Sequence, residues 1–136
     1  MVATEDLKID SEEDVVVVRR RVRTLAEEQH FDPFATAAIT TATSELARNV
    51  WLHAKKGIAC VELVEDGTRL GIRVEFRDEG PGIVDPERAL EGTRRSRGSS
   101  LGLGLSGSRR LVDDFEIDSV AGRGTVIRII KWRRAT

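Results

Sequence analysis

The sequence predicts an α/β protein, a two-layer α+β sandwich in which helices cover one face of a mixed, mostly antiparallel sheet. Three observations predict it. Residues 34–54, "FATAAITTATSELARNVWLHA", contain no glycine or proline and repeat apolar side chains at helical spacing. "GIACVELVED" and "RLGIRVEFRD" alternate like strands and flank "DGT" (66–68), a hairpin turn. "FEIDSVA" and "GTVIRIIKW" then close the chain around the turn "AGRG". Layers of this kind bury a helix stripe against a sheet face.

In chain order, "DLKI" (6–9) predicts a short first strand, and "DSEED" (10–14) supplies a capping residue followed by acids, which favour the positive end of a helix dipole. Four valines follow and by propensity favour a strand. Val18, Val22, Leu25 and Ala26 nevertheless recur at helical spacing, which predicts a helix to about Gln29. Pro33 opens the next helix at its first turn. On that helix Ala38, Ala42, Leu46, Val50 and Ala54 line one side. After the hairpin comes a tight loop, "EGPGI" (79–83), then a short helix from Pro86 to Leu90 and a mobile polar loop, "EGTRRSRGSS" (91–100). A helix from about Gly104 to Asp113 precedes the last two strands. No repeat or linker interrupts the 136 residues, the length of one domain, 1–136.

Composition narrows the function classes. Hydrophobic residues make up 40% and charged residues 33%, with a net charge of −1, so no global field favours nucleic acid or an anionic membrane. The basic runs "TRRSR" (93–97) and "KWRR" (131–134) carry no interleaved stacking aromatics. No apolar run reaches the length of a membrane span, and "MVATEDLKID" has no signal-peptide core. The expectation is a cytoplasmic protein with no nucleic-acid or membrane partner. The lone thiol, Cys60, reads as a buried core cysteine. His30 and His53 lack companions at metal-ligand spacing and read as incidental, and Trp51 and Trp132 as core or shielded surface.

Gly102, Gly104 and Gly107 fall at G-x-G-x-x-G spacing. A Rossmann turn needs a hydrophobic strand before the first glycine and a large parallel sheet after it. Here "TRRSRGSS" precedes Gly102 and fewer than forty residues follow. That reading is rejected, and no Walker A lysine is present. What remains is either a glycine-rich surface loop or a phosphate cradle running into a helix N-terminus, where free amides bind anions.

Three further short patterns accompany it. Glu45 and Asn49 lie four residues apart on the long helix. Asp78 ends a strand ahead of Gly80 and Gly82, and Thr125 begins the last strand. Alone, each reads as a solvated stripe, a turn or a hairpin. In this order the four resemble the GHKL (Bergerat-fold) ATPases over nearly the whole chain. The longer runs "ITTATSELARN", "DEGPGI", "LGLGLSGSRRLVDDF" and "SVAGRGTVIRIIKW" resemble the RsbT-type serine/threonine switch kinases of the bacterial stressosome pathway, relatives of the anti-sigma-factor kinases.

That resemblance implies a Bergerat ATP-binding fold with ATP and Mg²⁺ as cofactors. It implies that Asn49 ligates the metal, that Asp78 accepts from the adenine amino group with support from Thr125, and that Gly80, Gly82 and Ile83 border adenine and ribose. It implies a lid from Gly98 through Leu101, Gly102 and Leu103 to Gly104. Glu45 is then the general base for an incoming Ser or Thr hydroxyl. Arg94, Arg95 and Arg97 depart from the short family lid; they either neutralise phosphate or are merely solvated. The implied partners are a STAS-domain antagonist or scaffold as phosphoryl acceptor and a PP2C-type phosphatase activated by binding. The first helix, Val15 to Val18 and Arg19 to Arg21, is a candidate partner surface, against the simpler account of a buried valine face. The alternative function is an anti-sigma factor that sequesters a sigma subunit, with nucleotide as a conformational cofactor.

Overall fold

The computed structural model describes residues 4–82 and 101–134. The expected Pro86–Leu90 helix, the 91–100 loop, Ile83, Arg94, Arg95, Arg97 and Gly98 lie outside those residues. The chain runs β1 (Thr4–Ile9), α1 (Glu12–Glu28), α2 (Pro33–Ala54), β2 (Gly57–Asp66), β3 (Arg69–Asp78), α3 (Leu101–Leu111), β4 (Asp114–Val120) and β5 (Gly124–Trp132). The strands form one sheet in the order β1-β2-β3-β5-β4. The predicted sandwich is present, and every strand pair is antiparallel. Gly67 (φ 64°) supplies the positive φ that the two-residue turn between β2 and β3 needs at its first position.

Ser11 caps α1, its hydroxyl accepting from the Asp14 N–H at 3.2 Å. Val15, Val18, Val22 and Ala26 are buried. Burying a valine contributes roughly 1.5–3 kcal/mol, whereas its helix penalty is at most about 0.7 kcal/mol, so burial overrides the strand propensity. At α2, Asp32 accepts from the Ala35 N–H at 2.7 Å and Pro33 occupies the first turn. The buried face of α2 is broader than the expected line. It includes Ala35, Thr36, Ile39, Thr43 and Ala47 with Ala42, Leu46 and Val50, while Ala38 and Ala54 are only half-buried. The cause is coverage from three directions, since α1, α3 and the sheet all pack on this helix.

Helix α3 starts three residues before, and ends two before, the expected limits. Buried Leu105 and Ser108 fix its register, and that register carries the helix back across Gly102 and Gly104. Each glycine costs about 1 kcal/mol relative to alanine, so α3 depends on docking against α2. At its other end the Asp113 N–H donates to the Ile130 carbonyl at 2.9 Å, which hands the chain to the sheet.

Cys60 is not a core thiol. Ala59 and Val61 point into the helix-covered face, so Cys60 lies on the opposite face, where Arg77 and Arg128 pair with Glu75 at 3.2 and 2.7 Å. Partial burial, followed by the neighbouring Asp6 carboxylate, pushes its thiol up to about 11.

The β1–α1 junction is electrostatically fastened. Asp14 accepts from the Asp10 N–H at 2.9 Å and pairs with Lys8 at 3.0 Å, and these contacts hold its carboxyl down at about 2 against an ordinary 3.8. A depressed folded value means that the stabilisation is complete above 3.8 and lost as pH falls toward 2. The melting-temperature gap between wild type and Asp14→Asn should therefore be open at neutral pH and close across that window. A gap that ignores pH would assign the junction's stability to something other than this charge.

Candidate active site

The ends of β3 and β5 meet α2 at a small pocket. Its walls are Leu46, Asn49, Val50 and His53 of α2, Phe76 and Asp78 of β3, the Pro81–Gly82 turn, Leu105 of α3, and Thr125 and Ile127 of β5. The pocket is partly open, with about 30 Å³ of free space between these walls.

Asp78 is the last residue of β3, in register with Gly57 on one side and Thr125 on the other. Its Oδ1 accepts from the Gly80 N–H at 2.8 Å, which aims the half-buried carboxyl at the pocket. Burial raises its pKa above 3.8; the Gly80 and Thr125 N–H groups and nearby His53 oppose that rise. At neutral pH it is a poorly solvated acceptor facing apolar walls, which suits an N–H donor such as an exocyclic amine.

The glycines here are steric requirements. A Cβ on Gly80 would stand 2.6 Å from the Ala54 Cβ, so the turn rests directly on the last turn of α2. Gly124 (φ 133°) would drive a Cβ into the Asp78 carbonyl, and Gly82 (φ 75°) into that of Val120. The Gly122 N–H closes the arrangement on the Pro81 carbonyl at 2.6 Å. The 79–82 turn is thereby clamped between α2 and the β4–β5 hairpin.

Thr125 is buried, with Oγ1 2.8 Å from the Ser119 hydroxyl, and that hydroxyl donates to the Gly124 carbonyl at 3.2 Å. Either hydroxyl can donate in that contact, and the Thr125 oxygen keeps at least one lone pair for a donor in the pocket. Asn49 lines the same space, and its buried Nδ2 has no hydrogen-bond partner among the described residues. An unpaired amide donor there suits an acceptor on a bound ligand, whereas a cation would take the Asn49 Oδ1.

Asn49, Asp78, Gly82 and Thr125 line one pocket, and Gly80 is hydrogen-bonded to Asp78 beside it. Glu45 is not part of the pocket: it is exposed, one turn before Asn49 on α2. Leu101, Gly102, Leu103 and Gly104 form the first turn of α3. His53, read from sequence as incidental, is a pocket wall beside Asp78, and burial lowers its pKa from 6.5 toward a neutral ring. Its i, i+4 spacing from Asn49 was the available signal. Ser119, the support of Thr125, carried no sequence signal. Among the described residues no cluster of three His, Cys, Asp or Glu side chains is placed to hold a metal ion; a divalent cation here would rest on Asn49 and its own ligand's oxygens, and a hard ion that retains waters accepts such a site.

The model of the histidine kinase-like ATPase domain matches residues 10–131. Serine/threonine-protein kinase RsbT of Bacillus subtilis (strain 168) is 44% identical over 128 residues, covering 94% of this chain and 96% of that protein. Anti-sigma F factor of Thermoanaerobacter sp. (strain X514) is 34% identical over 101 residues, covering 71% and 69%. The crystal structure of the RsbU and RsbW domains of a Mycobacterium tuberculosis protein superposes with a TM-score of 0.67 at 20% identity, spanning 99% of this chain and 34% of that one, a likeness of fold.

Proposed function

The chain belongs to the histidine kinase-like ATPase domain family, and from that premise we propose that it is an ATP- and Mg²⁺-dependent protein serine/threonine kinase. Its acceptor is a STAS-domain protein, and its second partner a PP2C-type phosphatase that it activates by binding, in a cytoplasmic stress-response cascade controlling a sigma factor. The carrying observation is the division of α2: Asn49 turns into an apolar pocket with Asp78 and Thr125, while Glu45, one turn earlier, faces solvent. A small nucleotide occupies the inside and a protein hydroxyl approaches from outside.

The residues present fit ATP with Mg²⁺. Asp78 and Thr125 hold the adenine edge against Phe76, Ile127 and Leu105, and Asn49 supplies the protein oxygen for the metal. When bound, Mg²⁺ neutralises charge on the phosphate oxygens. Glu45 takes the proton of the acceptor hydroxyl as its oxygen bonds to the γ-phosphorus; the bond from that phosphorus to the bridging oxygen breaks and ADP leaves. A carboxylate with reference pKa of about 4.3 is a modest base, so alignment and charge neutralisation carry most of the acceleration.

Asn49→Ala should make nucleotide affinity insensitive to Mg²⁺, measured by titration with and without the ion. Retained Mg²⁺ dependence would count against Asn49 as its ligand.

The second reading, an anti-sigma factor, is favoured by the 34% identity to such a protein. Capture against a purified STAS-domain protein and a sigma factor separates the two. The kinase reading expects ATP-dependent capture of the STAS domain, and tight sigma binding without it would replace that reading.

A further inference from the structure

We infer that the groove between the C-terminal half of α1 and the N-terminal half of α2 docks the phosphoryl-acceptor protein, an inference that rests on the kinase reading and names the surface that reading lacks. The groove, of about 470 Å³, lies between Arg23 and Glu27 of α1 and Ala37, Thr40 and Thr41 of α2. It stands on the opposite part of α2 from the nucleotide pocket and shares no residue with it.

Three features say what covers it. Next to Pro33, which lines the groove, Phe34 is 88% exposed, the most exposed large apolar side chain among the described residues. Leaving a phenyl ring in water forfeits roughly 1.5–3 kcal/mol, and no described residue covers it. At the groove's edge the exposed Thr41 offers a hydroxyl to a partner. The occupant therefore brings an apolar surface and at least one polar group.

Charge sets the second property. Arg23 is paired with Glu27 at 3.2 Å and Arg21 with Glu5 at 2.8 Å, whereas Arg19 and Arg20 are exposed and make no ion pair among the described residues. Arg20 lies about one turn before Arg23, and Arg23 lines the groove. The complementary partner is apolar where it meets Phe34 and carboxylate-bearing where it meets α1. The valine account of α1 holds in part, since Val15 and Val18 are buried and Val16 and Val17 are not.

Direction identifies that partner as the acceptor. Thr41, at the groove's edge, precedes Glu45 by one turn, and both are exposed on α2. The eleven residue steps from Phe34 to Glu45 rise about 16 Å along the helix, within the footprint of one small domain. A protein seated on Phe34 and the groove can present a Ser or Thr hydroxyl to Glu45 without entering the nucleotide pocket.

The test is transfer of phosphate from γ-labelled ATP to a STAS-domain protein encoded beside this one, at varied acceptor concentration. Phe34→Ala and Ala37→Glu both alter exposed positions outside the nucleotide site, and ATP affinity and melting temperature report on their folding. The expected result is an acceptor KM raised about tenfold or more, with kcat at saturating acceptor and ATP affinity unchanged. Transfer with an unmoved KM in both variants would overturn the inference and leave the kinase reading standing. A loss confined to phosphatase capture would also overturn it, by giving the groove to the other partner. No transfer by the wild type would remove the reading and the inference together.

Discussion

Glu45→Ala should bind ATP as the wild type does and transfer phosphate about 10²–10⁴-fold more slowly, the usual contribution of a positioned general base. The two halves of that expectation come from different observations. The Glu45 side chain does not line the pocket of Asn49, Asp78 and Thr125, so its truncation leaves them in place. It is exposed on a long helix, where alanine is the best helix former, so the fold does not suffer. A loss of ATP affinity would mean that the carboxylate acts inside the pocket. Near-normal turnover would leave Glu45 as a group that orients the acceptor or its water and no more.

The second large effect is at Asp78. Asp78→Asn keeps the size of the side chain and an oxygen for the Gly80 N–H, and removes the charge. Hydrogen bonds to charged groups are worth about 1.5–3 kcal/mol, so ATP affinity should fall by roughly 10- to 150-fold. Burial raises the Asp78 pKa despite the Gly80 and Thr125 N–H groups, so a further donor from an adenine amine would favour its carboxylate. Unchanged affinity, read by calorimetry or fluorescence, would take Asp78 out of adenine recognition and move the nucleotide elsewhere in the molecule.

Much of the architecture was legible because its causes are local. Ser11 and Pro33 mark helix starts through their own backbone chemistry, and alternation with "DGT" marks the β2–β3 hairpin through strand periodicity. Readings failed where the answer depends on which face meets which partner. Cys60 alternates correctly, but period two does not say which phase is inward; the placement of α1 and α2 decides that. The glycines of "LGLGL" argue for a loop by propensity, and docking on α2 turns them into a helix.

The candidate site shows the same division. Asn49, Asp78 and Thr125 were identified by residue type and resemblance, and register then placed Asp78 opposite Thr125. His53 shares a helical face with Asn49, yet its importance comes from the proximity of Asp78, which is distant in sequence. The α1–α2 groove has no motif at all. It exists because two amphipathic helices meet over their buried stripes and leave Phe34 outside, and that depends on the angle at which they pack rather than on spacing along either one.

The most direct measurement is Mg²⁺-dependent transfer from γ-labelled ATP to a STAS-domain protein encoded beside this one, with Glu45→Ala in parallel. The account predicts label on a Ser or Thr of the STAS domain with the wild-type enzyme, and its near-complete loss in the variant while both bind ATP equally. ATP binding by the wild type with no transfer to such a partner would contradict the kinase, and would leave a nucleotide-tuned binding protein in its place.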